Sequence, residues 1–353
     1  MILRSILRFT LSSAVAAGAV LAPALPVLAA PAVRVDYVAL GDSYAAGVGA
    51  GAESTACRVT DGAFPRLWAE PELVDLTLAA CSGATSADVA ATQLGALSET
   101  TDLVSVTVGA NDLGLTTILR TCATAPQGEA CTVALAGIPQ ALATTVPAGV
   151  AALLTQVRAD APAAKLVVTG YPVPFAEAAQ CPQLPLPPAL RTAGNSAIAG
   201  LNQVLAAQAV AAGATFVDVT GAFAPHALCT PQPWLVGVAG LNDGTVLHPT
   251  AAGQAEGYLP AFIAGAGSVE DVVEWIRQRD TAASASPSPS VPASVPASTP
   301  AGVAAPPADG AGGGLPVTGP RVGAVVAVGV FLVVLGIVGL VVWRPRRVRT
   351  LSE

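Results

Sequence analysis

The sequence predicts an α/β fold: a three-layer α/β/α sandwich around a central, mainly parallel five-stranded sheet. Two features carry this. Short, almost wholly apolar β-branched runs alternate with longer alanine-rich stretches, and strands buried on both faces read as continuous apolar runs. The repeated strand, helix, strand order also supplies the long crossovers that parallel strands require.

Taken along the chain, the strands are predicted at Val35 to Leu40, Leu73 to Leu78, Leu103 to Val108, Leu166 to Thr169 and Phe216 to Val219. Helices are expected around Leu113 to Thr121, Val133 to Ala159, Leu190 to Ala212 and Thr250 to Ala264. Pro139 and Pro147 fall inside the second of these, so it should be kinked or split. In open parallel sheets the ligand crevice forms at the carboxyl ends of the strands. The polar residues of interest cluster there.

The ends of the chain carry other signals. Residues 1–30 read as a secretory signal: Arg4 and Arg8, an apolar stretch from Leu11 to Val27, then small residues ending Ala29-Ala30. Residues 31–280 are long enough for one sizeable domain. Residues 281–314 consist almost wholly of Ala, Ser, Pro, Gly and Val, a composition that buries no core and predicts an extended stalk. Residues 315–319 spell Leu-Pro-Val-Thr-Gly; an uncharged stretch at 322–343, long enough to span a membrane as a helix, and an arginine-rich tail at 344–353 follow. This order resembles the sorting signal of Gram-positive surface proteins. The resemblance implies cleavage between Thr318 and Gly319 by a sortase, attachment to cell-wall peptidoglycan, and membrane association through the C-terminal helix before sorting. The competing expectation is a plain transmembrane anchor.

Charge narrows the partners. Residues 31–318 hold nine Arg and Lys against 22 Asp and Glu, a formal charge of −13, which argues against nucleic acid. Six cysteines, Cys57, Cys81, Cys122, Cys131, Cys181 and Cys229, lie in the expected exported domain and read as three disulfides. No Cys or His grouping has metal-ligand spacing, and neither metal nor cofactor is expected.

Four short blocks carry chemistry. The first strand runs into Gly41-Asp42-Ser43-Tyr44. A serine that follows a buried strand and opens a helix exposes its hydroxyl at the sheet edge and leaves its own N–H free to face an oxyanion. After the second strand comes Cys81-Ser82-Gly83-Ala84-Thr85, whose Gly83 N–H is a candidate second donor. The third strand leads to Gly109-Ala110-Asn111-Asp112, where the Asn111 amide can donate to an anionic oxygen without titrating. After the last strand, His248-Pro249 offers a base for the Ser43 proton. Gly-x-Ser-x-Gly, the serine elbow of α/β-hydrolases, is absent.

In that order these blocks look like those of SGNH (GDSL-type) hydrolases, which carry Ser, Gly, Asn and His on a flavodoxin-like sandwich. The chain is more narrowly similar to the disulfide-rich secreted lipases and esterases of Streptomyces type, through Cys81 to Thr85, Gly170-Tyr171-Pro172 and the Phe223, His226, Cys229 pattern. The resemblance implies Ser43 as nucleophile and His248 as general base. It also implies an oxyanion hole from Ser43, Gly83 and Asn111, and sequential disulfides Cys57–Cys81, Cys122–Cys131 and Cys181–Cys229. The implied substrate is an ester or lipid; a glycan O-deacetylase on the same scaffold and a non-catalytic adhesin are the alternatives. One departure stands out. Most of the family carries Asp three residues before the histidine, where this chain has Thr245, and Asp243 lies five residues away. The Streptomyces-type resemblance implies a main-chain carbonyl in place of that Asp, with those of Thr245 or Val246 well placed in sequence to orient His248; a triad with Asp243 is the alternative.

Other residues have plainer readings. Asp112 is expected to hold the turn that aims Asn111, His226 to be structural, and Trp68 and Trp234 to pack. The glycine run from Gly47 to Ala52 loosely fits a dinucleotide fingerprint but starts too far beyond the strand.

Overall fold

The computed structural model describes residues 33–54 and 56–285. The expected signal segment, the sorting motif with Thr318 and Gly319, the apolar span and the basic tail lie outside the described residues.

Five strands, β1 (Val35–Gly41), β2 (Val74–Leu78), β3 (Leu103–Thr107), β4 (Lys165–Thr169) and β5 (Thr215–Val217), form one sheet in the order β2-β1-β3-β4-β5. Every neighbouring pair is parallel. The chain leaves β1 to one side for β2 and returns to the other side for β3. That reversal opens a crevice at the carboxyl ends of these two strands.

Helices cover both faces. Tyr37 on β1 faces a cluster that contains Phe64 and Trp68 of α2 (Phe64–Trp68). After α1 (Ser43–Ala46) and α2, the opposite layer begins with α3 (Ser86–Thr92). It continues with α4 (Leu115–Thr124), α5 (Glu129–Ala143), α6 (Thr145–Asp160) and α7 (Pro188–Ala211). Val38 and Leu40 of β1 point into that layer with Val104, Val106, Leu153, Leu154 and Leu201. The alternation of β1 residues between two apolar clusters follows from the two-residue strand period. Burying such a side chain contributes about 1.5–3 kcal/mol each.

The first layer is completed by α8 (Thr220–Phe223), α9 (Leu259–Ala266) and α10 (Val269–Ala285). Phe262 of α9 meets Tyr37 at 6.0 Å and Trp68 at 5.8 Å between ring centroids. The Tyr37 hydroxyl is not stranded in this core, since it shares a 2.8 Å hydrogen bond with Ser105 Oγ.

The expected helix from Val133 to Ala159 is two helices, α5 and α6, bent by 43° at Thr144. Pro139 sits within α5, while Pro147 stands in the first turn of α6, where its missing N–H costs nothing. The helix expected from Thr250 begins as a π-helical turn, Gly253–Tyr258, before α9. Residues 281–285, read from composition as the start of the stalk, continue α10 to Ala285. Its N-terminal Ser268 and Asp271 bond each other's backbone, and Arg279 reaches Asp102 near β3 at 2.8 Å.

Three disulfides, Cys57–Cys81, Cys122–Cys131 and Cys181–Cys229, close the surface loops in the sequential pairing that the family resemblance implies. The first fastens the loop after β2, and the second clips α4 to α5. Such bridges typically contribute about 2–4 kcal/mol each by restricting the unfolded chain.

Candidate active site

Ser43 follows β1 as the first residue of α1. Gly41 makes this possible: its φ is +137°, and a Cβ there would lie 2.3 Å from the Thr107 carbonyl of β3. Buried Gln93 holds both polar groups of Gly41, accepting from its N at 2.8 Å and donating to its carbonyl at 2.9 Å. Asp42 caps α1 by accepting from Tyr44 N at 2.9 Å, and its other oxygen accepts from the Tyr171 hydroxyl at 2.6 Å. Burial pushes the Asp42 carboxyl up to about 7 against these hydrogen bonds, which favour its charge.

His248 arrives from the loop after a short 3₁₀ turn, Val238–Leu241. Its Nε2 lies 2.7 Å from Ser43 Oγ, and its Nδ1 lies 3.2 Å from the Val246 carbonyl. A carbonyl only accepts, so Nδ1 carries the hydrogen and Nε2 presents its lone pair to the serine hydroxyl. Burial depresses the imidazole to about 4, opposed by hydrogen bonds to the Thr245 and Val246 backbone. Asp243 accepts instead from Thr245 N at 3.0 Å and Thr245 Oγ1 at 2.7 Å, which lowers its own pKa.

Asn111 donates from Nδ2 to the Ala84 carbonyl at 3.0 Å, leaving one amide hydrogen of the pair to spare. Asp112 accepts from Ser86 N at 3.0 Å and also bonds Ser86 Oγ, tying the β3 loop to the start of α3. Gly83 has φ +87° in the loop between Cys81 and Ala84. Among the described residues neither Ser43 N–H nor Gly83 N–H has an acceptor.

Ser43, Asn111 and His248 line one cavity together with Tyr44 and Tyr171; Gly83 is not part of its lining. Apart from Asp42, Thr116 and Arg120, the rest of the wall is apolar. Leu115, Ile118 and Leu119 come from α4, Leu135 and Ile138 from α5, Leu190, Ala197 and Ile198 from α7, and Phe175 from the loop between β4 and α7. Arg120 is the lone Arg or Lys in this lining.

The remaining sequence candidates fall outside it. His226 stacks on Trp234 at 3.7 Å between centroids and bonds the Gln232 carbonyl through Nδ1 at 2.9 Å. Trp68 donates to the Gly267 carbonyl at 3.0 Å. The glycine run packs against the histidine loop: a Cβ on Gly49 would stand 3.3 Å from His248 Cβ. Among the described residues no group of three His, Cys, Asp or Glu is arranged to hold a metal. Sequence reasoning missed Gln93 and Gln254, and named Tyr171 in Gly170-Tyr171-Pro172 without its bond to Asp42. Gln93 and Gln254 are amides in unremarkable helical surroundings, and only their burial reveals that they pin backbone beside Ser43.

Comparison with known proteins identifies the family and the fold. The family model for GDSL-like lipases and acylhydrolases matches residues 39–256. Lipase 1 of Streptomyces coelicolor is 42% identical over 261 residues, covering 72% of this chain and 96% of that protein. The crystal structure of an extracellular lipase from Streptomyces rimosus matches with a TM-score of 0.61 at 40% identity, over 66% of this chain and all of that one. Phospholipase A1 from Streptomyces albidoflavus matches with a TM-score of 0.60 at 39% identity, over 66% of this chain and 99% of that one. With the sheet order, the strand-end blocks and these relatives in agreement, the chain belongs to the GDSL-like lipase/acylhydrolase family and is a carboxylic ester hydrolase.

Proposed function

We propose that the protein is an exported lipase or esterase that cleaves lipid-like carboxylic esters through an acyl-enzyme on Ser43, with His248 as its base. The observation that carries this is the 2.7 Å contact from His248 Nε2 to Ser43 Oγ at a cavity whose wall is mostly apolar. Ser43 Oγ attacks the ester carbonyl carbon while Nε2 takes its proton. The carbonyl oxygen, now anionic, is stabilised by Ser43 N–H, Gly83 N–H and the free Asn111 amide hydrogen. Collapse of the tetrahedral intermediate breaks the bond to the alcohol, which leaves with the proton from His248. Water then repeats the sequence on the acyl-enzyme and releases the acid and Ser43.

Without a carboxylate behind it, the imidazolium loses part of its charge stabilisation, while the Val246 carbonyl still selects the tautomer. The apolar wall favours an acyl chain over an acetyl group, because each buried methylene contributes about 0.8 kcal/mol. Turnover of p-nitrophenyl esters should therefore rise from acetate to medium or long chains. Best activity on acetylated xylan would assign the site to glycan deacetylation, and no turnover of any ester would leave the adhesin reading.

Export and wall attachment rest on the sequence order of signal, stalk, LPVTG motif, apolar span and basic tail, and on the family's extracellular relative from S. rimosus. Wild-type protein should leave the cell wall only on muralytic digestion, while Thr318→Ala protein stays with the membrane. Equal release of both by detergent would identify a plain transmembrane anchor.

A further inference from the structure

Among the described residues the histidine of this site bonds no carboxylate, yet its position relative to Ser43 is narrowly defined. Every backbone polar group of Leu247 and His248 is occupied. Leu247 N donates to the Val236 carbonyl at 2.8 Å, His248 N to the Thr245 carbonyl at 3.0 Å, and the His248 carbonyl accepts from Val236 N at 2.9 Å. The remaining group, the Leu247 carbonyl, accepts from the Tyr44 hydroxyl at 2.8 Å. It is the one bond of the four that comes from a side chain, and that side chain belongs to the residue after Ser43.

Leu247 needs such a hold. Its φ of +67° lies in the left-handed region, which a branched side chain adopts only where its surroundings enforce it. The Tyr44 ring also packs against the imidazole, 5.2 Å between centroids, and against Tyr171 at 4.9 Å. Tyr44 is anchored in turn: its carbonyl accepts from Gln254 Nε2 at 2.9 Å, and Gln254 Oε1 accepts from Phe64 N at 3.0 Å. Burial raises the Tyr44 hydroxyl above the ordinary tyrosine value, so it remains a neutral donor.

We infer that Tyr44 is the positioning residue for His248, its hydroxyl bond to the Leu247 carbonyl and its ring contact fixing the loop that carries the imidazole, while the Val246 carbonyl accepts from Nδ1. The inference rests on the Ser43–His248 reading above. Because Tyr44 and Ser43 are consecutive on α1, one short segment sets the distance between nucleophile and base, and a movement of the histidine loop cannot open that distance without breaking the tyrosine bond. The charged groups that act on the imidazole are Arg58 and Glu53, which are paired with each other at 2.6 Å. Neither bonds it.

The test uses the full secreted protein with a soluble p-nitrophenyl ester, comparing Tyr44→Phe, Tyr44→Leu and Asp243→Asn. Tyr44→Phe keeps the ring and removes the bond, and should lower kcat about fivefold to tenfold, the scale of one neutral hydrogen bond, with KM nearly unchanged. The acid limb of kcat/KM should move up toward the ordinary histidine range near 6.5, because a loosened loop readmits water to an imidazole that burial holds at about 4. Tyr44→Leu should move both further. Phe262→Leu, a core change within α9, should destabilise the fold without shifting the limb, which separates positioning from general loss of stability. Asp243→Asn should cost less than about tenfold, against the ten-thousandfold order of a triad aspartate. Wild-type kcat and limb in Tyr44→Phe would overturn the inference, and so would a collapse in folded Asp243→Asn protein. Labelling of Ser43 by a fluorophosphonate keeps the two readings apart: its absence in the wild type refutes the nucleophile, whereas its presence with a neutral Tyr44→Phe refutes the positioning alone.

Discussion

Ser43→Ala protein is expected to fold normally and to lose ester turnover by several orders of magnitude, on the order of a millionfold in kcat where serine and histidine act as a unit. The substitution removes the atom that bonds to the acyl carbon and leaves His248 Nε2 without the hydroxyl now 2.7 Å away. What survives should be the weak catalysis of the oxyanion donors and the cavity, about a thousandfold or more above water. Stability should change little, since Oγ makes its contact with a histidine that can accept from water instead, and the Asp42 cap and the Gln93 clamp on Gly41 are untouched. Kinetics on a p-nitrophenyl ester, a thermal melt and fluorophosphonate labelling check all three points. Retention of most turnover in folded Ser43→Ala protein would end the acyl-enzyme mechanism.

The next largest effect is expected for Asn111→Ala, a loss of about a hundredfold to a thousandfold in kcat, the scale for one oxyanion donor. In the proposed mechanism Asn111 has two jobs that kinetics can separate. One amide hydrogen reaches the Ala84 carbonyl at 3.0 Å and holds the loops after β2 and β3 together; the other is free for the developing anion. If the second job dominates, kcat falls with KM nearly constant, because the donor acts on charge that exists only in the transition state. If only the first mattered, the melt would move and kcat would not. An unchanged rate would place the oxyanion elsewhere.

Much of this site was legible because its residues stand directly after strands. Ser43, Asn111 and His248 each follow an apolar run or its closing turn, and a parallel sheet sends all such positions to one edge. The three central strands were legible as short apolar runs of mostly buried residues, while the edge strands β2 and β5 keep only Val74 and Val217 buried and were legible from their β-branched composition. Helices α3 and α10 were passed over although both carry a visible start signal, Thr85 with Asp88 and Ser268 with Asp271. In α3 the signal leads only a seven-residue helix, too short to show a periodic face. In α10 the apolar positions Val269, Val272, Val273 and Ile276 do repeat helically, but the alanines and serine that follow resemble the stalk in composition.

By itself the sequence determined the fold class, the cysteine content, the four strand-end blocks and the missing carboxylate before His248, because each is a matter of residue type at a given spacing. Only the tertiary structure brought the Val246 carbonyl to 3.2 Å from Nδ1, with the Thr245 carbonyl also acting on the imidazole. It alone turned Asp243 toward Thr245, left Gly83 outside the cavity lining, and brought Tyr44, Tyr171, Gln93 and Gln254 to the backbone around Ser43. The physical reason is range. Strand and block positions follow from local periodicity, whereas hydrogen-bond partners such as Tyr44 and Leu247, 203 residues apart, are chosen by how the layers pack.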